Sequence, residues 1–118
     1  MADSSAQLSN YRQSPRKTGL VVDAVRGKSV VEALRMLDAM PKRAATPIAK
    51  LLRSAVANAS SKGLYAEELL VSKAIVGKGT VYKRSMPRAR GSSSTIHKRC
   101  SHVQIELSKK PQPVAKKK

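Results

Sequence analysis

Residues 76–107, VGKGTVYKRSMPRARGSSSTIHKRCSHVQIEL, decide how the rest of the chain is read. Their flanks favour strand, with Thr80, Val81 and Tyr82 on one side and Thr95, Ile96, Val103 and Ile105 on the other. The middle, residues 86–94, gathers Pro87, Gly91 and three serines, the residue types that punctuate chains at turns. The pattern predicts two extended arms joined at a turn, an extended β-hairpin over about residues 78–102. No carboxylate lies between Glu68 and Glu106, whereas Lys73, Lys78, Lys83, Arg84, Arg88, Arg90, Lys98 and Arg99 all do. Arms of about ten residues, rising ~3.3 Å each, would carry the tip roughly 30 Å from its base. An isolated hairpin is marginal in water, and one so uniformly basic calls for a polyanion to lie against.

Working outward, the whole chain has the same bias. It has 118 residues, enough for one domain with a modest core. Twenty-four Lys and Arg against seven Asp and Glu give a formal net charge of +17, which points to nucleic acid or an anionic membrane face. No apolar run approaches the ~20 residues that span a bilayer, and the polar start MADSSAQLSN lacks the apolar stretch of a signal peptide. A single cysteine excludes an internal disulfide and fits a reducing cytosol. With three Tyr and no Phe or Trp, the chain lacks the stacking platforms of a general single-strand reader. A folded, duplex-rich nucleic acid gripped by phosphate and shape suits it better.

Ahead of the hairpin, residues 1–7 read as a flexible N-terminus, and residues 8–12 alternate as a short strand. Ser14-Pro15 is a helix start, with Ser as N-cap and Pro at the first helical position. That helix turns Leu20, Val21, Ala24 and Val25 inward and stops at Gly27. Ser29-Val30-Val31-Glu32 is a capping box opening a second helix, with Ala33, Leu34, Leu37 and Met40 on one face. A third spans about residues 42–62, where Ile48, Leu51, Leu52, Ala55, Val56 and Ala59 form its apolar stripe. Pro47 predicts a late or bent start. Residues 69–76 are a strand leading into the hairpin. On the return, Val103, Ile105 and Leu107 alternate with polar residues, which gives the hairpin's base one apolar face. The expected fold is therefore α+β, three helices packed on a small antiparallel sheet that extends into the hairpin. Residues 8–107 form the single domain, and residues 108–118 a disordered basic tail.

Several clusters carry chemistry. Arg88 and Arg90, two apart on an extended chain, would point the same way, and their guanidinium forks suit paired phosphate oxygens. Arg12, Arg16 and Lys17 form a second basic cluster, around the first helix start, where phosphates bind readily. Lys83, Arg84, Lys98 and Arg99 line the arms. The small residues Ser54-Ala55-Val56-Ala57-Asn58-Ala59 serve either close packing or the approach of an RNA backbone along Lys50, Arg53, Ser54, Ala57 and Ser61. His97, Cys100 and His102 offer too few ligands for a closed zinc site, and alternation puts His97 opposite the other two. The same argument weakens a ribonuclease-like acid–base pair. The chain reads as neither an enzyme nor a metal or cofactor carrier.

Six segments occur here in fixed order: Ser14-Pro15-Arg16-Lys17, Val25-Arg26-Gly27-Lys28, the run from Ser54 to Ala59, Lys83-Arg84, Met86-Pro87-Arg88-Ala89-Arg90-Gly91 and His97-Lys98-Arg99-Cys100-Ser101-His102. Together, over roughly residues 11–107, they closely resemble the bacterial-type large-ribosomal-subunit protein twenty-two family. The resemblance implies a structural protein, monomeric within a cytoplasmic or organellar ribosome. Its domain would sit on the subunit surface near the mouth of the peptide exit tunnel. Its hairpin would thread through large-subunit rRNA, with Arg12, Arg16, Lys17, Lys83, Arg84, Arg88, Arg90, His97, Lys98 and Arg99 binding RNA. The tip, Arg88, Ala89, Arg90, Gly91, Ser92 and Ser93, would line the tunnel beside neighbouring ribosomal proteins and the nascent peptide. Two departures stand out. Ser92-Ser93-Ser94 replaces further charge after Gly91, and Gly77-Lys78-Gly79-Thr80 opens the first arm where an acidic residue and Gly-Pro are usual. The competing reading from another class is a DNA-architectural protein whose proline-tipped β-arms bend duplex DNA.

Overall fold

Ser14 and Ser29 start the first two helices, each accepting the N–H three residues on, from Lys17 at 3.4 Å and Glu32 at 3.3 Å. In the computed structural model, which describes residues 3–109, helix α1 spans Pro15–Val25 and α2 Val30–Ala39. Helix α3 spans Ala45–Ser60 and has no side-chain cap. Its late start places Pro47 in the first turn, where its missing N–H leaves no helical bond unmade. After Ser60 the chain turns through Gly63, at φ 81°, and the Leu64 N–H reaches back to Ala59 O at 3.0 Å.

Three strands make one antiparallel sheet in the order β1-β3-β2: β1 is Ser4–Tyr11, β2 Leu69–Pro87 and β3 Ser93–Lys109. At the base β3 is the central strand. Leu8 pairs with Val103 on one side, while Val76 pairs with Val103 on the other. The alternation of Val103, Ile105 and Leu107 does what the sequence implied, since all three are fully buried. They pack with Leu69 and Val71 of β2, Val21, Val22 and Val25 of α1, and Ile48, Leu52 and Ala55 of α3. The α+β architecture of three helices on a small sheet with a long hairpin is thus the one expected. Beyond the base β2 and β3 continue alone, and the molecule measures 71 × 27 × 22 Å.

Both edges of the base are occupied. The turn between α1 and α2 lies along β2: Gly27 N–H donates to Val71 O and Val71 N–H to Lys28 O, each at 2.9 Å. Arg26 adds two bonds from its guanidinium to Ala74 O, at 3.1 and 2.7 Å. On the other edge α3 serves β1, with Ser4 Oγ donating to Ala55 O at 3.1 Å and Asn58 Nδ2 to Ser5 O at 2.8 Å. Ala55 and Ala59 are buried, so on that side the small residues of α3 serve close packing.

Three expectations need correction. Residues 4–7, read as part of a flexible terminus, belong to β1 and pair with residues 104–107. Backbone hydrogen bonds to β3 hold them where their own side chains, small and polar, gave no strand signal. Ser108 and Lys109, assigned to the tail, are the last residues of β3, and Lys109 N–H donates to Asp3 Oδ2 at 2.7 Å; the remainder of that tail, 110–118, lies outside the described residues. Leu20 faces solvent, 61% exposed, because the buried stripe of α1 runs through Thr18, Val21, Val22 and Val25.

Candidate nucleic-acid interface

The arm leaves the base at a bulge. From Lys78↔Ser101 to Val81↔Arg99, β2 advances three residues while β3 advances two. Gly79 sits in that step. A Cβ there would meet the Cys100 backbone carbon and Cβ at 3.2 Å and its carbonyl oxygen at 3.3 Å, so glycine permits the close approach. Regular pairing then resumes from Val81↔Arg99 to Pro87↔Ser93.

Along this ladder Lys83 pairs with His97, Arg84 with Ile96 and Tyr82 with Lys98, and all three cations are exposed, as are Arg99 and His97. None of the arm's cations meets a carboxylate among the described residues. The ion pairs there are Arg26–Asp23 at 2.6 Å and Arg53–Asp38 at 3.2 Å, both in the base. Like charges thus stand along two strands with nothing among the described residues to neutralise them.

The tip closes on itself. Arg88 N–H donates to Ser92 O at 2.7 Å, Ser92 N–H to Ala89 O at 3.3 Å, and Ser92 Oγ to Ala89 O at 2.9 Å. Arg88 Nε donates to Ser94 Oγ at 3.0 Å. Arg90 and Gly91 take left-handed conformations, φ 62° and 75°. Arg88 and Arg90 are therefore not neighbours on one face of an extended chain. The turn between them breaks the alternation that predicted a shared direction. Ala89, Gly91, Ser92 and Ser93 are exposed with them.

The second basic cluster is brought to the root of the arm by the start of α1. Ser101, buried in β3, donates from its hydroxyl to Gln13 O at 2.6 Å, and Thr18 Oγ1 donates to Ser14 O at 3.1 Å. Asn10, at φ 56°, donates its N–H to His102 Nδ1 at 3.0 Å. His102 is thus a structural acceptor, and His97 stands apart on the exposed arm. With the chain pinned this way, Arg12 lies over the Tyr82 ring, 4.7 Å from its centroid, within cation–π range. Arg12, Arg16 and Lys17 are all exposed. The two basic clusters are contiguous, a juxtaposition that distance along the sequence hid.

Between α1 and the arm root lies a cleft of about 510 Å³, lined by Ser14, Pro15, Arg16, Lys78, Gly79, Val81, Arg99 and Cys100. Lys78 and Tyr82 were not singled out as site residues. The glycines flanking Lys78 were the available signal, because Gly inside a strand pattern marks a bulge that re-aims its neighbours. Among the described residues no group of three His, Cys, Asp or Glu side chains is placed to hold a metal ion.

A basic α+β base carrying an unneutralised, two-stranded arm is the form of a nucleic-acid-binding structural protein. The profile of the ribosomal protein L22p/L17e family matches residues 6–108, and the chain belongs to that family. It is 50% identical over 107 residues to large ribosomal subunit protein uL22 of Pelobacter propionicus, covering 90% of this chain and 96% of that one. The uL22 protein of Lactobacillus helveticus is 45% identical over 111 residues, 93% and 95% of the two chains. That of Aquifex pyrophilus is 46% identical over 99 residues, 84% of this chain and 74% of its own.

Proposed function

We propose that this chain is a structural, non-catalytic protein of the large ribosomal subunit that binds and organises its rRNA. The observation that carries the reading is the arm. It is a long ladder of exposed cations with no counter-charge among the described residues, contiguous with the cations at the start of α1. Arg12, Arg16, Lys17, Lys83, Arg84, Arg88, Arg90, His97, Lys98 and Arg99 are the RNA-contacting set, and phosphate neutralisation supplies most of the affinity. The RNA's own fold supplies the address, so base readout along the duplex is unnecessary. The base docks first, and the arm then ties separate RNA segments together.

In the finer reading the arm runs inward along the peptide exit tunnel. Its tip, Arg88 to Ser93, then faces the lumen near neighbouring ribosomal proteins and the nascent peptide. Membership of the family supports this, as do the length of the arm and its self-closed tip. The test is a density map of large subunits carrying the protein. An arm threaded through rRNA with its tip at the lumen is expected; an arm lying on the particle surface would overturn the tunnel assignment. Release from the high-molecular-weight fraction of a lysate by ribonuclease, and not by deoxyribonuclease, separates this function from DNA bending.

A further inference from the structure

We propose that the cleft between α1 and the root of the arm receives one unstacked nucleotide of the bound RNA, its base against Pro15 and Val81 and its phosphate on Arg16, Lys78 and Arg99. The inference rests on the rRNA-binding reading and specifies what one part of that surface holds.

The first argument is size and lining. At about 510 Å³ the cleft falls within the ~300–1,000 Å³ typical of small-ligand sites, far more than a lone phosphate occupies. Its cations come from three elements, Arg16 from α1, Lys78 from β2 and Arg99 from β3, and each is exposed. Ser14 adds a hydroxyl, and Pro15, Gly79, Val81 and Cys100 complete the wall with surface that carries no charge. A group with one charged end and one flat, weakly polar end matches such a lining, and a nucleotide out of its stack is that group.

The second argument is that the backbone is adjusted to make the cleft. In a regular strand Lys78 and Val81, three apart, would face opposite sides of the arm. The bulge between them inserts one residue, so both line the cleft. Gly79 lets β2 press against Cys100, which is 1% exposed and closes the floor. Val81 stays 38% exposed although the core lies only a few residues away. The helix end itself contributes few donors. Pro15 has no N–H, and the Lys17 N–H is directed to Ser14 Oγ. Recognition falls to the cations and the apolar wall.

The experiment is base-specific chemical probing of rRNA in reconstituted large-subunit particles carrying the full-length protein. Wild type, Val81→Trp, which crowds the apolar wall of the cleft, Val81→Ala, which does not, and the triple Arg16→Gln, Lys78→Gln, Arg99→Gln variant are compared. All four positions are exposed, so retention of Val81→Trp in the particles should stay within about twofold of wild type. One unpaired nucleotide should be protected in wild type and in Val81→Ala. Its reactivity should rise several-fold in Val81→Trp, whose indole takes up space the base needs. The triple variant should expose the same nucleotide. If Val81→Trp particles gave the wild-type pattern at every base, or changed only backbone accessibility along a duplex, the nucleotide assignment would be wrong. Failure of the wild-type protein to bind rRNA at all would instead overturn the reading on which it rests.

Discussion

Replacing Lys83, Arg84, Lys98 and Arg99 together by glutamine tests whether the arm works by phosphate neutralisation. These four, with Arg88 and Arg90, are the cations that follow the bulge, and all are exposed with no carboxylate partner among the described residues. Each phosphate they neutralise releases condensed counterion, so log K should fall against log salt by about 0.7–0.9 per contact. Six contacts give the arm a share of about −4 to −5 in that slope. Between 50 and 200 mM salt this amounts to a loss of roughly several hundred-fold to a thousandfold in affinity. Removing four contacts should flatten the slope by about 3, leaving a loss of roughly tenfold from the arm's remaining pair. The substitutions touch no buried group, so the thermal midpoint of the free protein should hardly move. The assay is filter binding to a large-subunit rRNA fragment across a potassium chloride series, with thermal unfolding as the control. An unchanged slope in the quadruple variant, with its fold intact, would refute phosphate contact along the arm.

Four further outcomes are expected. Gly79→Ala forces the Cys100 backbone to yield by a few tenths of an ångström, at a cost of about 1–3 kcal/mol seen in the denaturation midpoint; an unchanged midpoint would mean the close approach at Gly79 is not needed. Ser101→Ala leaves Gln13 O without its 2.6 Å donor and should cost about 1–3 kcal/mol, with broadened amide signals at the start of α1. Without RNA, backbone order parameters should fall below about 0.6 from Lys83 to Ser94 while the base stays near 0.85; uniform rigidity to the tip would contradict an arm that orders on its partner. Deleting Ser92, Ser93 and Ser94 removes the closing bonds of the tip and should alter sensitivity to macrolide-type inhibitors with the protein retained in subunits; mass spectrometry showing loss as severe as in the quadruple variant would make the tip an assembly anchor.

What could be read in advance followed from local signals. Ser14-Pro15, the Ser29 capping box and the alternation at Val103, Ile105 and Leu107 each act within a few residues, and each produced the element it implied. Residues 4–7 were missed because their strand is made by pairing with residues 104–107, a partner a hundred positions away. Leu20 was misplaced because two residues four apart, Thr18 and Val22, outcompeted it for the core, and threonine carries no apolar signal. Thr18 is buried because its hydroxyl returns to Ser14 O. At the interface the cations were legible from charge alone. Their assembly was not, because it depends on Ser101 and His102 anchoring the chain around Asn10 and Gln13. Nor was the direction of Arg90, which follows from a left-handed turn that neither its type nor its spacing announces.

The division of labour in this chain follows from where its charges lie. All seven carboxylates of the sequence, Asp3, Asp23, Glu32, Asp38, Glu67, Glu68 and Glu106, fall outside residues 78–102. The base can therefore fold on its own buried side chains, with carboxylates interspersed among its cations. The arm has no such support. From Tyr82 to Ser93 every residue is exposed, so burial offsets almost none of the backbone entropy that fixing two strands costs. Phosphate contacts are what would offset that cost. An arm stabilised by its own salt bridges would be ordered in advance, but its cations would have to break those bridges before meeting RNA. Leaving them unpaired places the whole electrostatic gain in the bound state. The bulge at Gly79 is the seam between the two regimes: on one side the strands lie on a packed core, and on the other they are held by their own ladder and little else.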